Sequence, residues 1–221
     1  MTADYKTRLR WLDLLRSAGL LGMIVYHAAY DLQFFYDWNI NVTHGSWKLF
    51  QIAVASLFLV VSGISAGFWT RTDAILKGWK RGWIILSAAM LVSLATAILD
   101  EHTWVRFGIL HLIALTSFIF PLLRRLHPAG LAALGIACIA LLPFDLMPHV
   151  ASVDYTPIVP WLGPALLGFA VGIPLSERPL PAHPRMGTLG DLLAWPGRHS
   201  LWIYLVHQPI MLAMIQLLNH G

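Results

Sequence analysis

Apolar positions along this chain gather into seven long runs, at about 12–35, 47–69, 82–99, 107–123, 129–144, 159–176 and 199–218, each closed by charges, Pro or Gly. A helix needs roughly 20 apolar residues to cross about 30 Å of hydrocarbon, so these runs have the length of membrane spans joined by short loops. Only helices and closed barrels satisfy their backbone groups in lipid, and the runs lack the strict alternation of barrel strands. The pattern therefore predicts an all-α integral membrane protein, a bundle of about seven transmembrane helices forming a single domain over residues 1–221. The stretch from Glu177 to Arg198, with Pro179, Pro181, Pro184 and Pro196, reads as an irregular loop. Within it, Gly190 to Trp195 has the make-up of a short interfacial helix.

Composition supports the same solvent. With 57% hydrophobic and 12% charged residues, the chain has too little polar surface to enclose a soluble core of this size. The mean hydropathy of +0.66 agrees. Charge adds an orientation: of the 15 Lys and Arg, all but Lys48 and Arg106 fall in the N-terminal segment or in the loops near 71–81, 124–128 and 177–198. By the positive-inside rule those segments are cytoplasmic, which puts the N-terminus inside and, with seven spans, the C-terminus outside. The pI of about 9.5 is then a signature of topology and does not point to nucleic acid. No cleavable signal peptide is expected, because the first apolar run follows the charged stretch Lys6 to Arg16 without a small-residue cleavage site. The single cysteine, Cys138, excludes an intrachain disulfide and a cysteine metal cluster.

Ionisable groups inside spans are costly in lipid and point to function. His27, Tyr30 and Asp31 stand at i, i+3 and i+4, on one face of the first run toward its outer half. A carboxylate one turn from an imidazole can fix its tautomer and raise its basicity, as for a general base. His44, in His44-Gly45-Ser46-Trp47, lies on the same side just before the second run. His111 in the fourth run and His207-Gln208 in the seventh are further candidates to line a common cavity with His27. Three intramembrane histidines also admit a haem reading, but their depths differ and no two share a helix, so neither haem nor metal is expected. At the cytoplasmic start, Arg10, Asp13 and Arg16 at i, i+3 and i+6 let Asp13 pair with either arginine. With Arg71, Lys77, Lys80 and Arg81 of the next basic loop, they form a cationic mouth suited to a phosphate-bearing donor. Asp154-Tyr155 and Pro160-Trp161 mark the entry to the sixth run, where Trp161 suits the interfacial aromatic belt.

Several motifs in order complete the picture: Arg10 to Arg16, Tyr26-His27 through Asp31-Leu32, Leu57-Phe58 through Ser62-Gly63, Phe107-Gly108 to His111, Asp154-Tyr155 with Pro160-Trp161 and Gly163, and Gly197-Arg198-His199-Ser200 through Tyr204, His207, Gln208 and Pro209. Together they resemble the bacterial members of the heparan-α-glucosaminide N-acetyltransferase catalytic-domain family. The last segment is also similar to the final span of the wider membrane acyltransferases that decorate bacterial glycans. The resemblance implies a multi-pass protein of the bacterial inner membrane, compatible with a homodimer. It also implies transfer of an acetyl group from cytoplasmic acetyl-coenzyme A to an amine or hydroxyl of a sugar or glycan on the outer side. The basic mouth, with Arg198 of the Gly-Arg-His-Ser segment, would hold the donor's phosphates. His27 would act as general base or acetyl acceptor, and Tyr30, His111 or His207 as oxyanion donor. In the lysosomal relative the histidine usually assigned to catalysis sits in a His-Ala-Ser-Trp setting, which matches His44-Gly45-Ser46-Trp47. His27 ranks first because its carboxylate partner shares its face, with His44 behind it. Two other functions compete: a proton-coupled transporter using the histidines and Asp31 as a relay, and a noncatalytic membrane partner subunit whose polar groups only join helices.

Overall fold

The structure is a computed structural model, and it describes residues 10–70, 72–99, 101–102, 104–142, 152, 154–178 and 187–219. Among these residues there are eight helices: α1 (Arg10–Tyr36), α2 (Gly45–Gly67), α3 (Ala74–Leu99), α4 (Ile109–Leu123), α5 (Pro128–Ala140), α6 (Ile158–Glu177), α7 (Gly187–Arg198) and α8 (Ser200–Asn219). Extended pairing among the described residues is limited to an isolated bridge between Phe107 and Tyr155. Seven helices lie on the seven apolar runs. The eighth, α7, encloses the short helix expected at Gly190–Trp195, and the end of the fifth run lies outside the described residues.

By length and apolarity, α2, α3 and α6 are each sufficient to cross a membrane. The helices α4 and α5, and α8 over its Ser200–Ile215 part, are apolar but shorter. With 27 residues α1 has the length, but His27, Asp31 and Gln33 dilute its apolarity. Large apolar side chains lie exposed along the helices, among them Leu76, Met90, Leu94 and Ile98 on α3 and Leu21 and Phe34 on α1.

The chain divides into two compact units: Met1–Phe58 with Pro181–Gly221, and Leu59–Leu180, with the boundary inside α2. In the first unit α1 packs against α7 and α8. Small residues bring α7 close: an ideal Cβ on Gly197 would fall 1.8 Å from the Asp13 carbonyl oxygen, and Gly190 and Ala194 are buried on the same helix. The Gly197 N–H donates to Ser17 Oγ at 2.8 Å. The opposite side of α7 exposes Leu189, Leu192, Leu193 and Trp195.

In the second unit the closest packing runs along the C-terminal part of α2 and α6. Gly63 and Gly67 are spaced i, i+4 on α2, as are Gly168 and Gly172 on α6. A Cβ on Gly63 would lie 2.1 Å from the Ala165 carbonyl oxygen, one on Gly168 2.1 Å from that of Val60, and one on Gly172 2.5 Å from that of Ile64. Backbone meets backbone, which is how helices associate where water supplies no driving force. Beside this seam Phe120 of α4 stacks on Phe169 of α6 with centroids 4.5 Å apart, and Arg124 Nη1 donates to the Gly67 carbonyl oxygen at 2.6 Å, satisfying the end of α2.

Candidate active site

The first unit brings three sequence-predicted residues together where α1 meets α8. His27 and His207 face each other with ring centroids 5.0 Å apart and planes at 74°. His27 Nδ1 donates to the Met23 carbonyl oxygen at 2.9 Å, and His207 Nδ1 to that of Tyr204 at 2.6 Å. A carbonyl oxygen only accepts, so each Nδ1 carries the hydrogen and each neutral ring keeps its lone pair on Nε2. For His207 that atom is buried without a hydrogen-bond partner. Leaving such an acceptor unsatisfied costs about 1–3 kcal/mol.

Asp31, 2% exposed, lies one helical turn beyond His27. Its carboxylate is held by the Gln208 amide, whose Nε2 reaches Oδ1 at 3.1 Å and Oδ2 at 3.2 Å. A carboxylate fixes the amide with its NH₂ toward α1, which sends Oε1 the other way, and Oε1 is buried without a partner. Tyr36 Oη donating to the Ile215 carbonyl oxygen at 2.9 Å adds a second tie between the two helices.

This arrangement corrects one expectation. Asp31 does not fix the His27 tautomer through a hydrogen bond among the described residues; the Met23 carbonyl does. Helix side chains lean toward the N-terminus, so the imidazole at position 27 reaches back to the carbonyl four residues earlier. The carboxylate instead orients Gln208, which the sequence offers beside His207 as a residue to line a common cavity with His27.

His44 and His111 have surroundings of their own. His44 is exposed in the loop before α2, with Nδ1 2.8 Å from Thr43 Oγ1 and 3.1 Å from Asn41 Oδ1. His111 belongs to the second unit, in the first turn of α4, where its Nδ1 accepts from the Gly108 N–H at 3.2 Å. Its Nε2 is then the protonated nitrogen of the neutral ring and faces Ser93 Oγ at 3.4 Å. Asp154 meets the same helix start: Oδ2 accepts from the Ile109 N–H at 3.1 Å and Oδ1 from Thr156 Oγ1 at 3.1 Å. With the Thr156 N–H on the Phe107 carbonyl oxygen at 2.8 Å, two motifs distant in sequence become one helix cap. Tyr30 is half-buried and stacks on Phe34 with centroids 6.2 Å apart.

The basic residues are largely engaged. In the first unit Arg10 Nη2 lies 2.6 Å from Asp191 Oδ1, Arg198 Nη2 lies 3.0 Å from the same oxygen, and Arg198 Nε lies 3.7 Å from Asp13 Oδ2. Arg16 pairs with Asp13, so Asp13 selects Arg16 and Arg198, and Arg10 turns to α7. Three guanidiniums against two carboxylates leave this cluster with one net positive charge. The hydrogen bond from Arg198, reinforced by Arg10, holds the Asp191 carboxyl below the usual carboxylate range. The α1–α7 tie therefore persists above the ordinary carboxylate pKa and is lost as pH falls through the depressed one. Asp191→Asn at neutral pH is expected to speed hydrogen exchange of the α7 amides as acidification does in the parent chain. Unchanged exchange in the variant would show that the ion pairs do not hold α7.

In the second unit Lys77 pairs with Asp73 at 3.0 Å, Lys80 is exposed, and Arg81 donates to Ser62 Oγ at 3.0 Å while lying over the Trp69 ring at 5.9 Å. Arg71 lies outside the described residues. Among the described residues no three His, Cys, Asp or Glu side chains gather as a metal site.

Fold and site together define a helical protein with acid–base groups buried between two of its helices. Residues 8–209 match the family model described as heparan-alpha-glucosaminide N-acetyltransferase, catalytic, and the chain belongs to that family. Its class is accordingly that of the acetyltransferases, which in this family draw on acetyl-coenzyme A. Comparison with curated proteins and with solved structures found no match.

Proposed function

We propose that this chain is a multi-pass acetyltransferase of the bacterial inner membrane, moving an acetyl group from cytoplasmic acetyl-coenzyme A to an amine or hydroxyl of a sugar or glycan on the periplasmic side. The observation that carries this reading is the histidine pair between α1 and α8, with each Nδ1 spent on a helix carbonyl and each Nε2 left with its lone pair. The family match, running through both compact units, supports reading residues 1–221 as one domain of this activity. Three membrane-length helices, seven apolar runs and the exposed apolar side chains support a seven-span bundle with the N-terminus inside.

In the reaction His27 Nε2 takes the proton from the acceptor N–H or O–H as the acceptor's lone pair attacks the thioester carbonyl carbon. The tetrahedral intermediate then collapses with loss of the coenzyme A sulfur, which leaves protonated, and the acetyl group ends on the acceptor. In the alternative route His27 Nε2 attacks the thioester carbon and coenzyme A leaves as the thiolate; the acceptor's N or O then displaces the imidazole from the acetyl group, and its proton goes to the thiolate. For the donor's phosphates the first unit offers Arg10, Arg16 and Arg198, and the basic loop of the second unit, with Arg71, Lys77, Lys80 and Arg81 in its sequence, offers charge of the same sign. At Arg10 and Arg198 a phosphate competes with Asp191 for the guanidinium, which an anion of higher charge can win.

The test is turnover by purified protein given radiolabelled acetyl-coenzyme A and an amino sugar. Labelled N-acetyl product is expected from the parent chain and from His44→Ala, whose parent imidazole is exposed in a loop. Turnover abolished by His44→Ala and kept by His27→Ala would move the base to His44. Absence of both product and coenzyme A binding would refute acetyl transfer.

A further inference from the structure

The two helices at the histidine pair leave two buried acceptor atoms unsatisfied, His207 Nε2 and Gln208 Oε1. Neither can turn into a donor at its present position. His207 is 8% exposed and its one ring hydrogen, in the neutral form, is committed to the Tyr204 carbonyl oxygen. The Gln208 NH₂ is committed to both oxygens of Asp31. Buried acceptors are normally paired, and the group that satisfies these two must bring a hydrogen. An oxyanion or a thioester carbonyl brings none.

We propose that His207 Nε2 receives a hydrogen bond from an O–H or N–H of the acceptor, with Gln208 Oε1 as a second buried atom open to a donor of the same kind. His207 is thereby a substrate-binding residue and not an oxyanion donor. The 5.0 Å between ring centroids brings a group held at His207 next to His27, the proposed base. Asp31 acts one step back as a positioning residue, because its carboxylate decides which end of the Gln208 amide points to the substrate. The inference rests on the acetyl-transfer reading for its kinetic test and stands without it for its binding test.

His207→Asn places an amide where Nδ1 was, keeping a donor for the Tyr204 carbonyl, and deletes Nε2. The KM for the acceptor is expected to rise about tenfold, the worth of one hydrogen bond to a buried group, with the KM for acetyl-coenzyme A unchanged. A raised acetyl-coenzyme A KM, or an unchanged acceptor KM, would overturn the proposal. The binding test uses the unaltered chain with ¹⁵N-labelled histidine in detergent micelles, titrated with methyl glucosaminide as an amine probe and methyl glucoside as a hydroxyl probe. The His207 Nε2 resonance is expected to be that of an unprotonated nitrogen and to move with at least one probe, which also tells N–H from O–H as the donor. A protonated Nε2 before titration, or no movement with either probe, would refute the subsite. If the parent chain transfers no acetyl group, the proposed function fails while this titration still decides the subsite.

Discussion

Replacing His27 by alanine is expected to lower acetyl transfer by about 10²–10⁴-fold, the contribution of a positioned general acid–base group. The size follows from geometry. With Nδ1 held at 2.9 Å from the Met23 carbonyl oxygen, the ring keeps its lone pair on Nε2, and on the proposed reading that atom would meet the acceptor without further ordering. On the proposed mechanism the loss should fall on kcat with little change in the donor's KM, because a base would act in the transition state while the donor's phosphates would bind elsewhere. The helix itself should persist: the side chain is partly exposed, and its removal breaks one bond to a carbonyl that already serves the helix ladder. His27→Gln, which offers an amide near Nε2 without an imidazole's basicity, should be as inactive as His27→Ala. Near-parental turnover in either variant would remove His27 from the chemistry.

The second large effect concerns the fold. Gly168→Ala is expected to destabilise the protein by about 1–3 kcal/mol, the usual range for overpacking, and Gly168→Leu by more. At 2.1 Å the new Cβ would overlap the Val60 carbonyl, an atom of the helix backbone that cannot rotate aside, so α2 and α6 must part. Gly130 is the control. It lies in α5, nothing stands within 4 Å of a Cβ there, and Gly130→Ala should be neutral or stabilising by the helix propensity gained. Thermal unfolding in detergent reads both variants. Equal melting of Gly168→Ala and the parent would mean that the close approach of the two helices is absent.

Much of the architecture was legible in the sequence because lipid imposes a simple rule: apolar runs of fixed length must be helical. Each run carries a helix among the described residues, with ends that differ by up to eight residues, as between the run at 82–99 and α3, which begins at Ala74. That helix extends through Lys77, Lys80 and Arg81, charges that close a hydropathy run but not a helix. The close approach of the glycine pairs Gly63/Gly67 and Gly168/Gly172 was not read from the sequence, because which helix faces which is a matter of tertiary packing. In the site, the same-helix spacing of His27 and Asp31 was plain. His207 and Gln208 were legible as candidates to share a cavity with His27, but not the hydrogen bonds of Gln208 to Asp31, because residues some 180 positions apart meet only through folding. Asp191 illustrates the same limit: within the short helix expected at Gly190 to Trp195 it had no assigned partner, and it is the group that engages Arg10 and Arg198.

Acetyl transfer across the bilayer is tested most directly by sided proteoliposomes. Protein is reconstituted and sorted by orientation, with acetyl-coenzyme A confined to the cytoplasmic face and a membrane-impermeant amino sugar to the other. The expected result is acetylated sugar in the compartment that never held coenzyme A, its formation abolished by His27→Ala. Product only when donor and acceptor share a compartment would contradict transfer through the helix bundle.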